Sequence, residues 1–222
     1  HYADYKTFIT LAGAFKNYKF NKEAESGLAQ RILSSSKQFD AEECLSIMKI
    51  LSERGYDFNV KAENEPLPIF SAVKHRVFYN TTGGVEIVKT LIQKGADINL
   101  KDKYYYSIME IAAGKLNVEL ISLLAKHGAK VKGAAAISSA LRAYIDDLIY
   151  GRKLSEAQAV ERFDALIKTV EVLKANGLDV CEKDAPKDRC LPIETVFRWR
   201  ASKSHGPLSK EKAVEYKNIL IN

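Results

Sequence analysis

A ten-residue amphipathic stretch, Val85 to Lys94, ends at Gly95 and continues as Ala96-Asp97-Ile98-Asn99. Val85, Ile87, Val88, Leu91 and Ile92 would line one wide apolar face if this stretch were a helix. A glycine directly behind it supplies the stop, because the left-handed C′ conformation costs glycine little. The same arrangement recurs as Leu45 to Arg54 before Gly55, Val118 to His127 before Gly128, and Ile167 to Asn176 before Gly177. Short segments of mixed small, polar and apolar residues follow: Tyr56-Asp57-Phe58-Asn59, Ala129-Lys130-Val131 and Leu178-Asp179-Val180. Such a unit cannot bury its apolar face alone, so copies of it must stack on one another. A stack is a surface first, which points to binding rather than catalysis.

A second pattern lies ahead of these helices: Leu67-Pro68-Ile69-Phe70-Ser71-Ala72-Val73, Ser107-Ile108-Met109-Glu110-Ile111-Ala112-Ala113, and Leu191-Pro192-Ile193-Glu194-Thr195-Val196-Phe197. Pro68 and Pro192 stand where a helix begins, a place that tolerates proline because its missing N–H would be unpaired anyway. Thr7 to Gly13 and Ala135 to Leu141 fit the same frame more loosely. On these residues the chain resembles the ankyrin repeat family, whose unit of about 33 residues is a turn, a T-P-L-H-x-A-A helix and a second helix ending in G-A-D-V-N. Gly95 to Gly128 spans 33 residues and carries both halves. The resemblance covers essentially the whole chain and implies an all-α, ankyrin-like helical-hairpin solenoid of about five units: 1–59, 60–99, 100–131, 132–180 and 181–222. These form one repeat domain. The start at His1 has neither an initiator Met nor a signal-peptide pattern. The end falls inside the helical segment Val214 to Ile221, so a fragment of a longer protein is expected.

Departures from the unit concentrate in one connection. Ser107 to Val118 is 11 residues, but the equivalent intervals elsewhere are longer by 27, 7, 21 and 12. The extra residues fall between the two helices of a unit and either extend apolar faces or present a separate binding surface. In the 21-residue insertion, Ser155-Glu156-Ala157-Gln158 is a capping-box sequence that predicts a helix running unbroken to Asn176. Glu23 to Leu33 predicts another helix, with Ala24, Leu28, Ala29, Ile32 and Leu33 on one face. The turns between units vary too: 12 residues from Gly55 to Leu67 and from Gly95 to Ser107, 7 from Gly128 to Ala135, and 14 from Gly177 to Leu191.

Composition narrows the chemistry. Apolar residues at 46% and charged residues at 28% fit a folded, solvated chain, and a net charge of +6 is a mild bias toward acidic partners, not a nucleic-acid signature. Cys44, Cys181 and Cys190 make no disulfide framework, which fits a reducing compartment. No apolar run reaches the roughly 18–20 residues of a membrane span. The chain has no H-E-x-x-H, G-x-S-x-G or phosphate-cradling glycine loop, so no catalytic residue, cofactor or metal is expected. Cys181 and Cys190 share a turn but lack a nearby histidine, His127 suits a helix C-terminus, and Cys44 beside Leu45 is expected to pack.

The resemblance carries binding positions onto this chain. In the third unit the finger positions are Lys103, Tyr104 and Tyr106. Three adjacent tyrosines point different ways, so they divide between packing on the next finger and facing a partner. Tyr105 replaces the family's turn glycine, and a distorted turn is expected there. The inner-helix positions are Lys74, His75, Lys115, Arg142, Arg198 and Trp199, with Phe15 in the first unit. They form a basic row along the concave face with an aromatic at each end, and Arg and Trp are common interface hot spots. The implied function is a monomeric protein–protein interaction module whose partner offers an acidic segment. Two other readings stand beside it: the substrate-recruiting part of a larger enzyme, and polyanion or anionic-membrane binding with steep salt dependence. Irregular arrays with long insertions are similar to secreted effectors of intracellular bacteria and to some viral host-range proteins. That likeness implies a host protein partner and a cytoplasmic, host-cytosol location, although a eukaryotic scaffold fits nearly as well.

Overall fold

The structure is a computed structural model that describes residues 27–34, 39–60, 66–74, 82–130, 135–149 and 155–177. Among the described residues there are eight helices: α1 (Leu28–Ser34), α2 (Ala41–Glu53), α3 (Pro68–Lys74), α4 (Thr82–Gln93), α5 (Ile108–Ala113), α6 (Val118–Lys126), α7 (Ala135–Ile149) and α8 (Glu156–Ala175). No strand occurs among them, and an antiparallel bridge joins Lys101 to Ser107. The chain divides into two compact units, His1–Ile108 and Met109–Asn222.

The four glycine stops behave as the pattern requires. Gly55, Gly95, Gly128 and Gly177 have φ of +77°, +85°, +82° and +85°. A Cβ at any of them would meet nothing within 4 Å, so the demand is conformational, not spatial. At Gly95, its amide donates to the Ile92 carbonyl (3.0 Å) and the next amide, Ala96, donates to Leu91 (2.9 Å). Gly55 with Tyr56 and Gly128 with Ala129 repeat this pair of bonds. It is the Schellman motif, which satisfies carbonyls left over at a helix end.

In the unit His1–Ile108, α2 packs on α4, α3 on α4, and α1 on both α2 and α3. Ile47, Met48 and Leu51 of α2, Ile87 and Leu91 of α4, and Ile69, Phe70 and Val73 of α3 are buried. Each such side chain contributes about 1.5–3 kcal/mol over leaving it in water. α1 contacts α2 and α3, while Thr7–Gly13, the segment the sequence pattern fits to the first unit's inner helix, lies outside the described residues. The helix expected over Glu23 to Leu33 is present among the described residues as Leu28–Ser34, with Ala29, Ile32 and Leu33 buried. Asp40 and Glu43 form a capping box at the start of α2, with bonds of 2.9 and 3.1 Å.

Two details join consecutive repeats. Gly83 lets α4 approach α2, since a Cβ there would stand 2.7 Å from the Ala41 Cβ. Asn59 donates from Nδ2 to the Gly95 carbonyl (2.7 Å) and accepts from the Asp97 amide at Oδ1 (2.9 Å). Asp57 accepts from the Asn59 amide and Asp97 from the Asn99 amide, at 2.9 and 2.8 Å, so the segments after Gly55 and Gly95 are Asx turns.

In the unit Met109–Asn222, α7 packs on α8, and α8 on α6. The 21-residue insertion lengthens both helices of the pair: α7 has 15 residues and α8 has 20. Ser155 and Gln158 form the expected capping box, and α8 runs unbroken to a C-cap at Asn176. Buried Tyr144 and Phe163 meet edge-on at 5.8 Å between centroids, so the added turns carry their own core.

Gly83→Ala should lower stability by about 1–3 kcal/mol through overpacking, although helix propensity alone favours alanine by about 1 kcal/mol. Urea denaturation reads the sign, and adding Ala41→Gly should recover most of the loss. Asn59→Ala leaves the Gly95 carbonyl and Asp97 amide without their bridge and should cost about 1–2 kcal/mol, measured the same way.

Candidate functional site

Between the bridged residues Lys101 and Ser107 the chain forms a short finger. The Asp102 amide donates to the Tyr106 carbonyl (2.9 Å), and the Tyr105 amide donates to the Asp102 carbonyl (3.0 Å). Tyr105 closes the turn at φ +64°. The expectation of a distorted turn is corrected here: the turn is intact because Tyr105 adopts the left-handed conformation itself. That conformation costs a residue with a Cβ roughly 1–2 kcal/mol.

Asp102 holds the turn in that state. Its Oδ1 accepts from the amides of Tyr104 (2.9 Å) and Tyr106 (2.8 Å), and its Oδ2 accepts from Lys74 Nζ at the end of α3 (2.5 Å). The Asp102 side chain is only 1% exposed. Burial would raise its pKa, but the Lys74 ammonium and the two amides outweigh that and hold the carboxyl below the usual carboxylate range. The finger is thus tied to the inner helix of the preceding unit through one carboxylate.

The three rings stand out in solvent: Tyr104 is 58% exposed, Tyr105 66% and Tyr106 37%. Lys103 Nζ lies 5.2 Å and Lys74 Nζ 5.5 Å from the centre of the Tyr104 ring, both within cation–π reach. Lys74 Nζ also lies 6.0 Å from the Phe70 ring. The structure therefore brings Lys74, Lys103 and Tyr104 together. With Lys74 paired to Asp102, the charge offered at the tip comes from exposed Lys101 and Lys103.

Residues 71–103, which run from α3 through α4 into this finger, match the family model for the ankyrin repeat. The chain carries an ankyrin repeat. It is also similar to the crystal structure of EF0377, an ankyrin repeat protein, at 20% identity over 86% of this chain and 96% of that one, with a TM-score of 0.44. A search of curated proteins found no match.

The other expected positions fall outside residues 71–103 in the sequence or outside the described residues. Lys115 is half-exposed in the turn after α5, and Arg142 is exposed on α7. His75, Arg198 and Trp199 lie outside the described residues, as do Phe15, Cys181 and Cys190. His127 is the exposed C-cap of α6. Cys44 is buried, and burial, reinforced by the charges of Asp40 and Glu43, pushes its thiol pKa up to about 12, so it packs as a neutral side chain. Among the described residues no three His, Cys, Asp or Glu side chains gather as a metal site, and no helix is long and apolar enough to cross a membrane.

Sequence reasoning passed over Asp102 and Tyr105 as site residues. An aspartate opening a tight turn was a usable signal for the first, since such side chains bond the backbone two residues on. Its ion pair with Lys74, 28 residues away, was not visible without the stacking of repeats.

Asp102→Ala should loosen the finger by about 1–3 kcal/mol, leaving Lys74 and two amides without their acceptor. Amide hydrogen exchange at Tyr104 and Tyr106 should accelerate while the Leu91 and Ile87 amides keep their protection. The acid dependence has a fixed sign. A carboxyl with a lowered folded pKa stabilises above its unfolded value, about 3.9, and loses that contribution as pH falls through the folded value. In wild type the Tyr104 and Tyr106 amide resonances should titrate with a midpoint below about 3.9, and this titration should vanish in Asp102→Ala.

Proposed function

We propose that this chain is a protein-interaction module and that its finger, Lys103, Tyr104, Tyr105 and Tyr106, grips an acidic segment of a partner protein. One observation carries the reading: three consecutive exposed tyrosines stand on a turn whose backbone is held by a buried carboxylate. Tyrosine offers large amphipathic contact area with only two side-chain torsions to freeze. A tip already fixed in shape loses little further entropy on binding. Lys101 and Lys103 supply the positive rim, and Lys74 positions the finger through Asp102 instead of acting as a free cation. Arg142 and Lys115 remain candidate contacts of the same kind in the other compact unit.

The test is selection from a random peptide library displayed on phage, using the whole chain as bait. Enriched peptides should be rich in Asp and Glu. They should bind Lys103→Glu/Tyr104→Ala at least tenfold more weakly than wild type, while circular dichroism shows the variant folded. Equal binding by the two proteins would remove the finger from the function. Heparin should compete poorly, because the tip offers two exposed lysines and not the many phosphate-type contacts that a polyanion site needs.

A further inference from the structure

Tyr105 is the one tyrosine of the finger whose ring pairs with no other described group. It makes no hydrogen bond, ion pair or ring contact with its side chain among the described residues, and it is the most exposed of the three rings. It also occupies the one backbone position in the finger, at φ +64°, where glycine would sit without strain. A strained conformation persists only when its surroundings over-determine it. Here the surroundings are Asp102, which takes the amides on both sides of Tyr105. The fold thus holds an exposed ring at a place where the ring makes no polar or ring contact among the described residues.

Charge at the tip indicates what meets that ring. Asp102 and Lys74 cancel one another, leaving the exposed ammonium groups of Lys101 and Lys103 beside the turn. Hot-spot contacts are central aromatic anchors, with charged groups working at the rim. We infer that Tyr105 is the specificity-determining anchor of the finger, and that it recognises a large apolar side chain flanked by carboxylates in an acidic peptide segment. This rests on the protein-binding reading above and adds the class of motif bound. The Tyr105 ring covers the apolar side chain, and Lys101 and Lys103 face the flanking carboxylates.

A double-mutant cycle tests it, with the strongest peptide from the display selection and its central apolar residue replaced by Ala. Fluorescence anisotropy should show Tyr105→Gly weakening binding at least tenfold, Tyr105→Phe binding within about threefold of wild type, and the peptide replacement also weakening it at least tenfold. The two changes made together should cost little more than either alone, because they remove one contact. Thermal unfolding should show the Tyr105→Gly midpoint held or raised, by up to about 2–4 °C for each kcal/mol of strain relieved in a chain of this size. Wild-type affinity in Tyr105→Gly, or losses that multiply independently, would overturn the anchor. So would a clear drop in its melting point, since the ring would then serve the fold. A peptide that loses affinity for Lys103→Glu/Tyr104→Ala but not for Tyr105→Gly sinks this inference alone. A peptide indifferent to both variants sinks the finger as the binding site.

Discussion

The structure depends on how a helix is allowed to end. The last turn of a helix leaves carbonyls without intrahelical partners. Glycine in the left-handed region folds the chain back so that its own amide and the next one reach two of those carbonyls. That return also sets the direction of the next segment, which places Asn59 against the Gly95 carbonyl and the Asp97 amide of the following repeat. One backbone constraint therefore produces the helix length, the turn and the bond between neighbours. Apolar burial between α2 and α4 then stabilises an arrangement already specified by the ends.

Local signals in the sequence carried the regular parts. The glycine stops and the Ser155–Gln158 cap of α8 act over a few residues, so their structures follow from the neighbouring letters. The long insertion was legible as helix, but its role was not. Tyr144 and Phe163 are 19 residues apart, and their burial against one another depends on two helices lying side by side. The burial of α1 was hidden for a similar reason: this seven-residue helix carries a buried Gln30 in its middle, which breaks a plain apolar pattern.

The finger shows the limit of reading by template. Matching residues to a family unit identified Tyr104, Tyr106 and Lys103 as outward-facing, which agrees with their exposure. The same template made Tyr105 look like a fault, because glycine is the cheapest residue for that conformation. What the template lacked was Asp102, whose three accepted bonds make the conformation tolerable for tyrosine. Lys74 likewise looked like one of a row of surface cations. Its partner lies one repeat onward, and the pair becomes evident only when the repeats are stacked.

The link from Lys74 to Asp102 also has a mechanical side. A hairpin anchored only by its own two arms would swing when pulled sideways at its tip. This one is braced near its base by a side chain from a different helix, and the brace ends on the same carboxylate that grips the turn. A sideways load on the tyrosine tip is thus shared between the finger's own backbone and, through Asp102 and Lys74, the end of α3. The tip resists shear like a bracket with one strut, and the strut stands on the repeat before it.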